Sequence, residues 1–218
     1  MISTAFLTSA LLAIASTAAP VSAPAPAQAM VGDPYPLDTC IVSGEKLGAD
    51  AKVTVLADQK DPLQNGRQLK FCCGKCEAAF AAEPAKYIRD LDAKIVAAQS
   101  KSYPIDHCLV MPDEKLDDGA KTVVYGNRLY KFCCPKCVRM FGKDAAKWSA
   151  AYEKEVAAAQ KASYPLTTCP ISGKPLGDGA IYVVIGSRLV RACCPGCVGP
   201  IKADPAAAFA KVDAAKKG

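Results

Sequence analysis

All twelve cysteines of this chain fall into three sets of four with the same order and nearly the same spacing. The first set closes on Phe71-Cys72-Cys73-Gly74-Lys75-Cys76, the second on Phe132-Cys133-Cys134-Pro135-Lys136-Cys137, and the third on Ala192-Cys193-Cys194-Pro195-Gly196-Cys197. One lone cysteine precedes each cluster: Cys40, Cys108 and Cys169. Each lone cysteine follows a Tyr-Pro pair, at Tyr35, Tyr103 and Tyr164. Thiols grouped in this way serve metal binding or cross-linking, and the pattern alone leaves both open.

The repeat sets the organisation. Tyr35, Tyr103 and Tyr164 are 68 and 61 residues apart. The first unit is longer because of an extra stretch near Asp58 to Gln64, between its strands. Units of about 60 residues are marginal when built on apolar packing alone and need a metal or disulfide staple. We expect modules at 35–101, 102–162 and 163–218, with residues 30–34 as a short linker.

Residues 1–29 carry no charged side chain. The apolar run from Ala5 to Ala19 is shorter than the roughly 20 residues a membrane span requires. Ala27-Gln28-Ala29 offers a signal-peptidase site, with Val21-Ser22-Ala23 as a second option. The expectation is a signal peptide over 1–29, a periplasmic or secreted protein, and no membrane span. Export bears on the cysteines in two ways. An oxidising compartment favours disulfides, whereas metal binding there needs thiolates protected by burial or prompt loading.

The net charge of +6 comes from scattered Lys and Arg among Asp and Glu. Basic and aromatic residues are not interleaved as in base-stacking grooves, so no nucleic-acid partner is expected. His107 is the single histidine, and its counterparts in the other units are Thr39 and Thr168. That excludes a Cys–His or Ser–His arrangement common to the units. Phosphate-binding glycine loops and paired-carboxylate signatures are also missing, and the chain reads as non-enzymatic. Met111, three residues after Cys108, offers a thioether to Cu(I), but Ser43 and Ser172 stand in its place elsewhere, which favours turn packing.

Local patterning predicts one design per unit. After each lone cysteine comes a turn, then two short β-rich runs. In the second unit these are Lys121–Tyr125 and Arg128–Phe132, split by Gly126-Asn127; in the third, Ile181–Ile185 and Arg188–Arg191, split by Gly186-Ser187. Gly followed by Asn or Ser at that place signals a two-residue hairpin turn. One helical segment follows each cluster, started by Glu83-Pro84, Asp144 and Asp204-Pro205. Tyr87, Ile88, Leu91, Ile95 and Val96 share one face of the first helix; Trp148, Tyr152 and Val156 mark the second; Phe209 and Val212 the third. Phe80 and Phe141 read as core. The predicted fold class is α+β: three small tandem modules, each a cysteine turn and a β-hairpin followed by helix.

The cysteines then sit at a strand–helix junction, where backbone N–H groups and the helix dipole favour thiolates. Four thiolates complete a tetrahedral Zn set with no open position, and the same ligands suit Cu(I). A thioredoxin-like redox reading of the Cys-x-x-Cys segments lacks the βαβ context it needs.

Each unit resembles a TRASH/YHS-type domain, a small treble-clef-like metal-binding module. The resemblance rests on Tyr-Pro-x-x-x-Cys in front, Phe-Cys-Cys-x-x-Cys-x-x-x-Phe behind, and a tail such as Glu83-Pro84-Ala85-Lys86-Tyr87. It covers residues 35–218. It implies a treble-clef-like fold and binding of heavy metals such as copper or zinc. It also implies three ligands per module: Cys40, Cys72 and Cys76; Cys108, Cys133 and Cys137; Cys169, Cys193 and Cys197. This chain departs from the family pattern at Cys73, Cys134 and Cys194, which are extra and stand as fourth ligands, disulfide partners or spare thiols. The third unit also has Ala192 and Ile201 where the others carry aromatics, so its core is expected to be the weakest. All twelve cysteines are candidate ligands for Zn or Cu(I). The expected partners are metal ions and a metal-transport or other exported protein. The competing reading is a secreted interaction protein stapled by disulfides.

Overall fold

The structure is a computed structural model that describes residues 29–216. The expected signal peptide, apart from Ala29, lies outside the described residues. The described chain is α+β, with three two-stranded antiparallel sheets and six α-helices. Module 1 holds β1 (Lys52–Val55), β2 (Gln68–Phe71), α1 (Gly74–Ala82) and α2 (Pro84–Ser100). Module 2 holds β3 (Lys121–Tyr125), β4 (Arg128–Phe132), α3 (Pro135–Lys143) and α4 (Ala145–Lys161). Module 3 holds β5 (Ile181–Ile185), β6 (Arg188–Ala192), α5 (Val198–Ala203) and α6 (Pro205–Ala215).

The hairpins form where the turn chemistry places them. Gly126 and Asn127 both take positive φ, 54° and 60°, as a type I′ turn requires. In module 3 Gly186 alone does so, at 58°, the sign pattern of a type II′ turn. The pairing sets Val123 opposite Tyr130 and Val183 opposite Val190. In module 1 the extra stretch forms a single 3-10 turn, Pro62–Gln64, capped by Asp61, which accepts a hydrogen bond from the Leu63 N–H.

One expectation needs correction. The helix expected from Glu83-Pro84, Asp144 and Asp204-Pro205 forms, but a further, unexpected helix precedes it; in modules 1 and 2 that helix carries the last cysteine of the cluster, while Cys197 closes a 3-10 turn just before α5. The break falls at Glu83, Asp144 and Asp204, each outside helical geometry with ψ of 55°, 65° and 79°. Pro84 and Pro205 explain two of these breaks, because proline disfavours helical geometry in the residue before it. Asp144 breaks the helix without a proline. Its side chain accepts a bond from Lys147 N–H, as Asp204 does from Ala207 N–H. Glu83 makes no such cap and pairs with Lys86 instead. In module 3, Gly199 and Pro200 shorten the first helix to six residues, preceded by a 3-10 turn at Pro195–Cys197.

Each core extends into the next module. The buried cluster of module 1 includes Phe71, Phe80, Leu91 and Ile95, and with them Val124 and Leu129 from the second hairpin. That of module 2 includes Tyr130, Phe132, Phe141, Tyr152 and Val156, and with them Val184 and Leu189 from the third. Full burial of a leucine is worth about 2 kcal/mol, so Leu129 and Leu189 tie neighbours firmly. The buried cluster of module 3 contains no aromatic ring; Phe209 is half-buried beside it.

Polar clasps repeat the same connection. Near the end of α2, Gln99 accepts from Leu129 N–H (2.9 Å) and donates to the Asn127 carbonyl (3.3 Å). One module later, Gln160 accepts from Leu189 N–H (2.9 Å) and donates to the Ser187 carbonyl (2.7 Å). The modules are thus joined in series, each second helix lying across the following hairpin.

Residues 30–34, expected to be a short linker, take part in the interior. Asp33 is 2% exposed. Its carboxylate accepts from Arg128 Nε (3.0 Å) and Nη2 (2.5 Å) and from Gly186 N–H (2.6 Å). Arg128 also donates to the Val184 carbonyl and to Glu153. Asn127 accepts from Arg67 Nε and donates to the carbonyls of Asp33 and Gln68. Residues of all three modules therefore meet at one buried polar hub. Gly32 and Gly126 allow the approach: a Cβ on Gly32 would lie 2.4 Å from the Gly126 oxygen. Burial pushes the Asp33 carboxyl up against the pull of Arg128, and the ion pair holds the Arg128 guanidinium well above its usual range.

Candidate metal centres

Each lone cysteine occupies a tight turn closed by its own backbone. Cys40 N–H donates to the Glu45 carbonyl and Gly44 N–H returns to the Cys40 carbonyl. Cys169, Lys174 and Gly173 repeat this geometry. Thr39 bridges Lys46 and Thr168 bridges Pro175, whereas His107 bridges Lys115. The second turn is therefore one residue longer, and Met111 N–H closes it on the Cys108 carbonyl at 3.1 Å.

Across from this turn the second strand of each hairpin ends and a helical turn begins. The second cysteine of each set lies just past the strand, and the fourth in the first helical turn. Three sulfurs per module converge: Cys40, Cys72 and Cys76; Cys108, Cys133 and Cys137; Cys169, Cys193 and Cys197. Within each group the sulfurs all lie within 4.8 Å of one another. The closest pairs are Cys72–Cys76 at 3.5 Å, Cys133–Cys137 at 3.7 Å and Cys193–Cys197 at 3.9 Å.

These separations suit a thiolate-bound ion. At a metal–sulfur bond of about 2.3 Å, sulfur atoms stand about 3.8 Å apart in a tetrahedral site and about 4.0 Å in a trigonal one. Hydrophobic walls surround the groups. Cys40, Cys108 and Cys137 are fully buried, and Phe71, Phe132 and Ala192 are fully buried at the ends of the strands.

Cys73, Cys134 and Cys194 fall outside the groups in which all sulfurs are mutually close. Each still touches one member: Cys73 Sγ lies 3.8 Å from Cys72 Sγ, while Cys134 and Cys194 lie 3.7 Å from Cys137 and Cys197. They occupy the position before the helical turn, with extended backbone. Cys73 and Cys194 are exposed and Cys134 is half-buried.

The electrostatics differ within a group. Burial works against ionising Cys40. Even so, N–H groups of Ser43, Cys72 and Val42 and the Ser43 hydroxyl converge on its sulfur and bring the thiol down to about 6. Cys169 falls to about 6 for the same reasons, with Ser172, Cys193 and Ile171 as donors. Cys108 is also lowered, by Cys133, Met111 and Val110 N–H against its burial. At the other extreme, hydrogen bonding to Cys72 and burial push Cys76 up to about 12. Burial and its neighbouring thiols do the same to Cys197, also to about 12, and Cys137 is raised too. One thiol of each group is lowered, and another is raised chiefly by burial and hydrogen bonding to its neighbouring thiols. A cation at the centre favours the ionised form of all of them.

Ser43 Oγ lies 3.5 Å from Cys72 Sγ, and Ser172 Oγ lies 3.2 Å from Cys193 Sγ. His107 stands outside the thiol group of module 2, its ring nitrogens 3.2 Å from Asp106 and 3.1 Å from Glu155. Met111 is exposed at the turn.

Sequence reasoning did not single out Asp33, Arg67, Arg128, Gln99 or Gln160. A signal was present in register. Arg67, Arg128 and Arg188 each begin the second run of a hairpin, and each pairs with an acid 25 residues on: Asp92, Glu153 and Asp213. Among the described residues no helix is long and apolar enough to cross a membrane. Comparisons with family models, with curated proteins and with solved structures return no match to this chain.

Proposed function

We propose that this chain is an exported, non-enzymatic carrier of a thiophilic metal, Zn(II) or Cu(I), which it holds, buffers or delivers through three cysteine centres. The observation that carries the reading is the convergence of three sulfurs, drawn from two separated segments, in all three modules. The sulfur separations match a thiolate-bound ion, and the ease of the first ionisation favours early capture of a cation. The TRASH/YHS resemblance points to the same nine cysteines, and the uncharged N-terminal stretch supports export. Thiolate is the only ligand type common to the three modules, so hard oxygen-seeking cations are poor candidates and soft or borderline ions are favoured.

Native mass spectrometry of the mature protein, recovered from its exported compartment without added metal, tests the proposal. Bound Zn or Cu, up to three ions per chain, with most thiols reduced is the expected result. A metal-free chain lighter by about two mass units per bridge, unable to take up metal after reduction, would instead make the cysteines a disulfide framework.

A further inference from the structure

We propose that Cys73, Cys134 and Cys194 are exchange thiols, through which metal enters and leaves the three-sulfur groups. This rests on the metal-carrying reading above. The inner sulfurs are only partly reached from solvent: Cys40, Cys108 and Cys137 are 0% exposed, Cys169 1% and Cys197 6%, and Cys72, Cys76, Cys133 and Cys193 are half-buried. Thiolate-bound ions change ligands associatively, because release of a naked ion into a low-dielectric site is far costlier than a transient extra bond. An incoming ligand must therefore find a sulfur at the surface. In every module the outer cysteine is the candidate: Cys73 and Cys194 are exposed and Cys134 is half-buried, and each lies 3.7–3.8 Å from one inner sulfur, Cys72, Cys197 and Cys137 respectively. The outer side of each site thus presents a thiol in contact with the inner group.

The step conserves charge and electrons. The outer sulfur loses its proton and forms a bond to the ion, and one inner sulfur–metal bond then breaks. The freed inner thiolate takes up a proton, and nothing is oxidised or reduced. The ion, now held partly by an exposed sulfur, passes to an incoming thiol ligand by the same exchange. The extended backbone at Cys73, Cys134 and Cys194 keeps each sulfur at the entrance instead of turning it into the helix.

The test uses the full mature chain with all three outer cysteines changed, Cys73→Ser, Cys134→Ser and Cys194→Ser, loaded with Zn(II) or with Cu(I). Two quantities are read: equilibrium affinity by chelator competition, and the rate of transfer to a chromophoric thiol chelator in stopped flow. Transfer is expected to slow by about tenfold or more while the number of bound ions and their affinity stay within about threefold. An unchanged transfer rate would overturn the proposal. So would an affinity loss as large as the rate loss, since these cysteines would then be ordinary fourth ligands. Cys137→Ser serves as the contrast, because loss of an inner sulfur should abolish binding in module 2 outright. A wild-type chain that takes up no metal overturns the carrier reading itself, a result distinct from either outcome of the variant.

Discussion

Within each thiol group the residues are chemically unequal. The first proton leaves near pH 6 in modules 1 and 3, below the free thiol value of about 8.5, and the last is held to about 12. A depressed folded pKa adds stability that is fully present above the unfolded value and is lost as pH falls through the folded one. A raised folded pKa does the reverse, and its contribution fades as pH climbs past the unfolded value. The metal-free protein should therefore grow more stable from pH 6 to about 8.5 and less stable above it. Thermal midpoints measured across that range in the presence of chelator check this. A flat profile, or one unchanged by Cys40→Ser combined with Cys169→Ser, would contradict it. The groups themselves were legible in the sequence, because cysteine at fixed spacing across a strand–helix junction leaves few other arrangements. The division of each set into three inner sulfurs and one outer one was implied by the TRASH/YHS resemblance, which set Cys73, Cys134 and Cys194 apart, but not by cysteine spacing alone. Adjacent cysteines such as Cys72 and Cys73 look alike in sequence, and only the backbone turn between strand and helix sends one inward and the other out.

At the scale of elements, the hairpins do double duty. Each ends in the cysteines of its own module, and the turns of the second and third receive the helix of the module before. The Gln160 clasp shows how specific that docking is: its amide spans both Leu189 N–H and the Ser187 carbonyl at the edge of β6. Gln160→Ala leaves both backbone groups without their partner, which should cost about 1–3 kcal/mol locally. Hydrogen exchange at Leu189 should accelerate by about tenfold or more while module 1 keeps its protection. Equal acceleration throughout the chain would mean instead that the clasp acts on global stability. The hairpins of modules 2 and 3 and the starts of α2, α4 and α6 were readable from Gly-Asn, Gly-Ser, Asp144 and the prolines, since turn and cap chemistry is local. The first helix of each module was missed. Those helices are short, of nine, nine and six residues, and begin inside or directly after the cysteine clusters, where the thiol pattern and Gly74, Pro135, Gly199 and Pro200 hide a helical signal.

The whole molecule is held together by a segment with almost no pattern of its own. Val31 N–H bonds to the Gly66 carbonyl and Asp33 N–H to the Gly126 carbonyl, so the strand of chain before module 1 lies along the turns of the first two hairpins. Asp33 then reaches Arg128 and Gly186, and through them the third. Removing the carboxylate takes the buried acidic partner from a guanidinium that is 1% exposed and leaves it only the half-exposed Glu153. Asp33→Ala should therefore cost about 3–5 kcal/mol. Because Asp33 joins units that can otherwise come apart, urea unfolding should also broaden, with a lower apparent m-value. A single transition of undiminished steepness would show that the serial helix contacts alone keep the three modules cooperative.

The sequence by itself determined the number of modules, the hairpins, the α+β class and the cysteine groups, because repetition, turn residues and thiol spacing are recorded in short stretches of chain. It could not determine that Asp33, Arg67 and Arg128 meet, or that Leu129 and Leu189 complete the core of a neighbouring module. Those contacts join residues up to 153 positions apart, as between Asp33 and Gly186. No local pattern encodes such distances. Only the packed tertiary structure, where burial makes an unpaired charge costly, decides which partner each one takes.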